Sequence, residues 1–322
     1  MTRKYLITGG AGFIGSNFVR MLAEDDPEAI VVNLDLLTYA GVPATVEELD
    51  EYPNHRFVKG DIRDETLVDD VMSDVDMVIH FAAESHVDRS IAGPGPFVST
   101  NVLGTAVLLD AAMRHEVDRF IHVSTDEVYG SVATGFAPET ALLNPTSPYS
   151  SSKAGSDLLA LSYFHTYGYP VIVTRCTNNY GPYQFPEKVI PLFVTNLIDG
   201  KKVPLYGEGK NERDWLHVSD HCSALRLLMD RGEPGEIYNI GADNQLANIE
   251  LTRRILAHFG MDDSYIERVP DRLGHDLRYA VDSSKLRALG WAPAEDFDQR
   301  LEETIAWYRS REDWWRPLKE KT

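Results

Sequence analysis

Through the first half of the chain, short apolar runs alternate with stretches in which apolar residues recur at helical spacing. Residues 5–8 are apolar and stop at Gly9-Gly10, a pattern that predicts a buried strand ending in a tight turn. Residues 13–22 repeat apolar positions at helical intervals, so the chain opens as strand, glycine turn, helix. Residues 30–34, 57–58, 77–81 and 120–124 predict further strands, with helices at 65–72 and 100–115 between them. Residues 149–167 predict a long helix that leads into a strand at 171–175. Strands alternating with helices imply right-handed crossovers and a parallel sheet covered on both faces. The expected fold class is α/β, a doubly wound, Rossmann-type sheet.

After Asn178 the pattern breaks up. Gly181-Pro182, Pro186, Pro191, Gly200, Pro204, Gly207 and Gly209 punctuate the chain closely, which predicts a smaller, loop-rich second unit. Residues 237–240 look like a strand that returns to the main sheet. The expected division is 1–177 for the first unit, rejoined by about 218–245, with 178–322 mainly a partly discontinuous second unit. Length agrees, because 322 residues at about 150 per domain make two units.

Composition narrows the function. The chain is 43% hydrophobic and 25% charged, which excludes disorder and disulfide-dependent miniproteins. Lys and Arg number 31 against 50 Asp and Glu, a net charge of −19. That argues against non-specific nucleic-acid binding, which needs a basic surface. An anionic small ligand would have to be held by a few local cations. Cys176 and Cys222 are the only cysteines and no CxxC spacing occurs, so zinc ribbons and redox pairs are excluded. The first apolar run meets glycines too early for a signal-peptide core, and no apolar stretch is expected to approach the ~18 residues that suggest a membrane span. The expectation is a cytoplasmic protein with no membrane partner.

Three motifs carry chemistry. In Gly9-Gly10-Ala11-Gly12-Phe13-Ile14-Gly15 the glycines let a pyrophosphate approach the backbone, and the helix that follows offers free N–H groups to the anion. Asp35 ends the next strand about twenty residues on, where a dinucleotide site needs an acid for the ribose hydroxyls. With Leu36 beside it, NAD is favoured over NADP. Asp61-Ile62 would suit the adenine edge, although an Asp after a strand is more often a turn former. The second motif is Tyr149-Ser150-Ser151-Ser152-Lys153, whose Tyr and Lys share a helix face. A free tyrosine titrates near ~10, and a neighbouring ammonium favours its phenolate, making it a base. Apart from the glycine motif, the same spacing is an ordinary surface pair. The third is Thr125-Asp126-Glu127, at the carboxyl end of an apolar strand. Adjacent acids are usually a solvated turn, but in a cleft they can separate into one general acid and one general base.

These residues resemble the extended short-chain dehydrogenases/reductases that act on nucleotide sugars, and among them the 4,6-dehydratases. The resemblance also runs through residues 37–41 (LTYAG), 80–90 (HFAAESHVDRS), 124–130 (STDEVYG), 175–191 (RCTNNYGPYQFPEKVIP), 213–215 (RDW) and 271–276 (DRLGHD). It departs at Leu36, Val42, Thr177 and Leu273, where that family more often has Lys, Asn, Ser and Pro. The resemblance implies a hydro-lyase that takes dTDP-glucose to the 4-keto-6-deoxy sugar plus water, with a tightly held, regenerated NAD. Tyr149 with Lys153 would deprotonate the C4 hydroxyl. Thr125 would hold the sugar near C4, Glu127 would take the C5 proton and Asp126 would protonate the departing C6 hydroxyl.

By the same resemblance Gly9, Gly12, Phe13, Ile14, Gly15, Asp35, Leu36, Leu37, Thr38, Asp61, Ile62, Phe81, Ala82, Ala83, Thr100, Tyr149, Lys153 and Asn179 would contact NAD. Ser85, Thr125, Asn178, Lys188, Val189, Pro204, Tyr206, Arg213, Asn248, Arg272 and His275 would contact the sugar nucleotide. Physically, Tyr206 can stack on a pyrimidine and Arg213 offers a planar fork to diphosphate oxygens, though one could be core and the other a surface ion pair. His80 reads as strand core, and no metal site is expected. The helices at 100–115 and 148–167 resemble a dimerising pair that would form a four-helix bundle in a homodimer. Trp314-Trp315 is expected to tie the tail to the second unit. Two other readings remain: a related UDP-sugar epimerase or decarboxylase using the same Tyr149 chemistry, and a non-catalytic NAD-binding scaffold. The Asp126-Glu127 pair discriminates, since related epimerases lack it.

Overall fold

In the computed structural model, which describes residues 2–271, 274–294 and 296–320, the first apolar run is strand β1 (Lys4–Thr8), with Tyr5, Leu6 and Ile7 fully buried. There follow α1 (Phe13–Asp25), β2 (Ile30–Asp35), α2 (Pro43–Leu49), β3 (His55–Lys59), α3 (Glu65–Met72) and β4 (Met77–His80). Next come α4 (Val87–Ala92), α5 (Gly95–Val98), a π-helical segment Ser99–Gly104, α6 (Thr105–Arg114) and β5 (Arg119–Thr125). A 3₁₀ turn (Asp126–Tyr129), α7 (Pro148–Tyr167) and β6 (Val171–Cys176) complete the first half. The second half holds β7 (Asn178–Tyr180), α8 (Val189–Ile198), β8 (Val203–Tyr206), β9 (Glu212–His217), α9 (Val218–Arg231) and β10 (Ile237–Ile240). It ends with β11 (Gln245–Ala247), α10 (Asn248–His258), β12 (Ile266–Val269), α11 (Ser284–Ala288), α12 (Phe297–Ser310) and α13 (Glu312–Lys319).

The main sheet has seven strands in the order β10-β6-β5-β4-β1-β2-β3, and every pairing in it is parallel. Parallel strands are covered on both faces, which is why their sequences are nearly continuous apolar runs. Alternate side chains serve the two faces. Ile7, Ile79, Ile121 and Ile172 pack with Phe18 of α1 and Leu225 and Leu228 of α9, while Leu6, Val78, Phe120 and Val173 pack with Leu108 of α6 and Ala160 of α7. The strand expected at 237–240 is the edge strand β10, in register with β6 from Ile237 opposite Val173. A third cluster, which includes Phe193, Trp215, Leu251, Tyr308 and Trp315, lies among the helices and two small sheets (β11-β9-β7 and β12-β8) of the second half.

Three expectations need correction. The helix expected at 100–115 starts at Gly95 and passes through the π segment. The proline at its second position is tolerated, because in the first turn of a helix it lacks only an N–H that has no partner there anyway. The resulting Gly95–Arg114 helix is 20 residues long and apolar enough to cross a membrane by length and composition, contrary to the apolar-stretch expectation. Asp110 and Arg114, both near its end, are its only charged residues, and half of its most apolar window is buried within the protein. Finally, the two tail tryptophans diverge, as neighbours on a helix must. Trp315 donates to Tyr308 O (2.7 Å), whereas Trp314 donates to Thr45 Oγ1 of α2 (3.0 Å), so the tail reaches the first half as well.

Candidate active site

A cavity of about 710 Å³ opens at the carboxyl ends of the strands, where the order reverses between β1 and β4. At one end it is walled by the β1–α1 turn. Gly9 has φ +75°, and a Cβ there would lie 2.6 Å from Ala82 N; one on Gly15 would lie 2.3 Å from Gly9 O. Only glycine allows this turn to close against the exit of β4. Helix α1 begins at Gly12 with no side-chain capping bond, so its first-turn N–H groups face the cavity wall as an anion cradle. The Asp35 carboxylate accepts from Leu37 N (2.7 Å) and Ala11 N (3.0 Å), which orients it at the end of β2, while burial pushes its carboxyl up. A glycine cradle, an uncapped helix N-terminus and an oriented acid fit a dinucleotide.

The other end holds the reactive groups. A capping box starts α7: Ser147 Oγ accepts from Ser150 N (3.0 Å) and Ser150 Oγ accepts from Ser147 N (3.1 Å). One turn on, Tyr149 and Lys153 share a face. Lys153 is buried and donates to Val123 O at the end of β5 (2.8 Å); burial lowers its ammonium to about 8, opposed by the charge of Asp157. Burial pushes the Tyr149 phenol well above its ordinary value, with Glu127, Cys176 and Asp126 adding and a Thr125 hydrogen bond opposing.

Asp126 and Glu127 open the 3₁₀ turn directly after β5. Thr125 Oγ1 accepts from Glu127 N and donates to Asp126 Oδ1, both at 3.3 Å. The turn closes at Gly130, where φ is +70° and a Cβ would lie 2.2 Å from Asn144 O. Asp126 is 3% exposed; burial first, and Glu127 second, push its carboxyl well above the ordinary range. Burial thus favours the protonated form of Asp126 beside a more accessible acid, the kind of division that acid–base work requires.

Of the residues expected at the cofactor, all but Leu37 line this cavity; Leu37 stands behind Asp35 with its N–H on the carboxylate. Thr125, Ser85, Asn178 and Lys188 line it too, from the expected substrate set. Val189, Pro204, Tyr206, Arg213, Asn248 and His275 lie outside that wall, in the second half of the chain. Four of them are drawn together by the 275–276 segment. The Tyr206 and His275 rings are 6.0 Å apart, Arg213 donates to Asp276 O (2.9 Å), and Asn211, which donates to Asp276 O, accepts from Asn248 N (2.9 Å). Arg213 is among the charges acting on Asp126, which ties this lobe to the acid turn. Arg272 lies outside the described residues.

The cavity also includes residues the sequence reading left out: Tyr39, Arg63, Glu84, Cys176, Gln184, Phe185 and Glu187. Glu187 lies 3.6 Å from both His86 and Arg89, and the Arg89 guanidinium covers the Tyr39 ring at 3.6 Å. Most belong to strings already singled out, and their neighbours on those strings were the signal. Burial raises the Cys176 thiol to about 12, so it stays neutral.

The family model described as GDP-mannose 4,6 dehydratase matches residues 6–304. A dTDP-glucose 4,6-dehydratase of Streptomyces antibioticus is 55% identical, the alignment covering 98% of this chain and 95% of that protein. The crystal structure of DesIV, a dTDP-glucose 4,6-dehydratase from Streptomyces venezuelae with NAD and TYD bound, is 53% identical, with a TM-score of 0.95 and coverage of 98% and 99%. A UDP-glucose 4-epimerase from Thermotoga maritima with UDP-glucose is more distant, at 30% identity, TM-score 0.89 and coverage of 95% and 99%.

Proposed function

Because this chain belongs to the dTDP-glucose 4,6-dehydratase family, NAD-dependent hydro-lyases, we propose that its cavity converts dTDP-glucose to dTDP-4-keto-6-deoxyglucose and water. The observation that carries this reading is the buried Asp126 beside the more accessible Glu127, facing the same cavity as Tyr149 and Lys153. An epimerase or decarboxylase needs only the second pair.

The glycine turn, the start of α1 and Asp35 would hold NAD, together with Ile62, Ala82, Ala83 and Thr100 of the cavity wall. The chemistry NAD would supply is hydride exchange, from C4 of the sugar and back to C6, and a positive charge on its nicotinamide. A Thr125 hydrogen bond favours the Tyr149 phenolate, against burial, which favours the phenol, and a protonated Lys153 on the same helix face would add a positive charge in the same direction. Tyr149 then takes the C4 hydroxyl proton. The C4 ketone acidifies C5, whose proton passes to Glu127, and a proton returns to C5 from Glu127 when hydride adds to C6. Asp126, whose burial favours its protonated form, gives its proton to the C6 hydroxyl as it leaves as water. Lys188 and Arg213 supply the local cations for the diphosphate, and Tyr206 meets the pyrimidine.

Glu127→Gln tests the order of steps. The variant should still reduce its bound cofactor when given dTDP-glucose, seen as absorbance at 340 nm, while mass spectrometry shows no dehydrated product. Undiminished 4-keto-6-deoxy product would overturn the assignment. Parallel incubations with UDP-glucose test the base, and dTDP-glucose is the substrate expected to turn over.

The same reading divides the chain into a cofactor-binding part, residues 1–177 rejoined by about 218–245, and a mainly sugar-nucleotide part, 178–322. The pairing of β10 with β6 supports it. It makes the protein a homodimer through α6 and α7 of each copy. Support comes from Leu103 and Leu158, 55% and 60% exposed, on helical segments that pack side by side. It also places the protein in the cytoplasm, in keeping with Cys176 and Cys222 as free thiols.

A further inference from the structure

The acid turn and the base helix are separate pieces of chain, yet their side chains must meet one sugar ring within a fraction of an ångström. Behind the cavity they are joined by a buried chain of hydrogen bonds that no step of the reaction uses. Asp157, two turns beyond Tyr149 on α7, is fully buried and accepts from Arg175 Nε (2.9 Å). Arg175, on β6, is 2% exposed, and its Nη1 donates to the Tyr129 hydroxyl (2.8 Å). Tyr129, the last residue of the 3₁₀ turn, donates in turn to Asn239 Oδ1 on β10 (2.9 Å). Asn239 Nδ2 donates to Ala137 O and Asp282 O, which anchors the far end (3.0 and 3.1 Å).

We propose that Tyr129 is a positioning residue for the elimination step, holding the Asp126-Glu127 turn in register with α7 through Arg175 and Asp157. The inference rests on the reaction assigned above. Tyr129 touches neither sugar nor cofactor wall, and the cavity is lined by Asp126 and Glu127 but not by it. Its phenol is the turn's side-chain bond to the Asp157–Arg175 ion pair. Without that bond the turn is still covalently attached to β5 and still closed by Gly130, so Tyr149 and Lys153 stay where α7 puts them. Only the acid pair gains freedom. Small misplacements of a reacting group slow a step by up to about 100-fold.

The test is rapid mixing of holoenzyme with dTDP-glucose while absorbance at 340 nm is followed. In Tyr129→Phe, reduced cofactor should form at the unmodified rate and then decay about tenfold more slowly, because oxidation precedes elimination. Hydrogen exchange of the protein without substrate should show amides 126–130 exchanging about tenfold faster, with those of α7 unchanged. Arg175→Lys, whose single ammonium cannot serve both Asp157 and Tyr129, should give the same split and keeps the test open if Tyr129→Phe does not fold. Equal slowing of both phases, unchanged decay, or unchanged exchange at 126–130 would overturn the proposal. Failure of the assigned reaction itself is distinct: the unmodified protein would then form no reduced cofactor with dTDP-glucose.

Discussion

Asp126 shows how a single residue trades stability for chemistry. Burial and the neighbouring Glu127 raise its folded-state pKa well above the value it has in the unfolded chain. Between those two values the native state binds a proton that the unfolded state has released. Stability therefore falls as pH rises through the folded value, and is fully retained below the unfolded one. Asp126→Asn keeps the shape and removes this titration. It should lower turnover about 100-fold, yet melt about 1–3 °C higher than the parent at pH 8 while matching it near pH 4. Thermal melts at the two pH values check it, and a parent whose melting point holds level across that range would contradict the argument. The acid pair was visible in the sequence as two adjacent carboxylates after a strand. Which of them is protonated was not, because that depends on how deeply β5 is covered.

At the scale of elements, strands and turns were easier to read than the surfaces they present. The β1–α1 turn announces itself because glycine is the residue that permits its backbone approach, and Gly15 makes a sharp prediction. A methyl at Gly15 would lie 2.3 Å from Gly9 O, against backbone that cannot move aside. Gly15→Ala should open the turn, cost stability of about 1–3 kcal/mol and release NAD on gel filtration, checked by melting and by the nucleotide content of the eluted protein. The Gly95–Arg114 helix starts five residues before the expected Thr100, because a Gly-Pro pair can form a first turn that apolar spacing does not mark. Its outward side is legible once the helix is placed. Leu103→Lys combined with Leu158→Lys should convert a dimer to a monomer by light scattering, since two like charges per copy would face each other in an apolar seam. The residues gathered by the 275–276 segment could not be grouped from spacing at all, as Tyr206, Arg213 and Asn248 come from three elements and His275 from a loop.

At the scale of the whole molecule, the net charge of −19 says little about the ligand, since the cations proposed for the diphosphate are two single residues, Lys188 at the start of α8 and Arg213 on β9. More informative is how the two halves are tied, and here Glu48 of α2 is central. Its carboxylate accepts from Arg311 Nη2 (2.5 Å) beside α13, from the Tyr183 hydroxyl (2.6 Å) and from Arg20 Nη2 of α1 (3.1 Å). Trp314 adds its bond to Thr45 one turn away. Tyr183 precedes Gln184 and Phe185, which line the cavity, so the tail, α1, α2 and the cavity wall converge on one acid. In sequence Glu48 is one acid among 50, which is why nothing marked it. Burial raises its pKa, but the bonds from Tyr183 and Arg311 outweigh this and the net shift is downward. A carboxylate with a lowered folded pKa contributes stability above its unfolded value, and that contribution fades as pH falls through the folded one. Glu48→Gln should therefore lose about 1–2 kcal/mol in urea unfolding at pH 7, a modest figure because the site is partly exposed and screened. The difference from the parent should shrink toward zero near pH 3, and a constant deficit at both pH values would mean that shape, not charge, is what Glu48 supplies to the clasp.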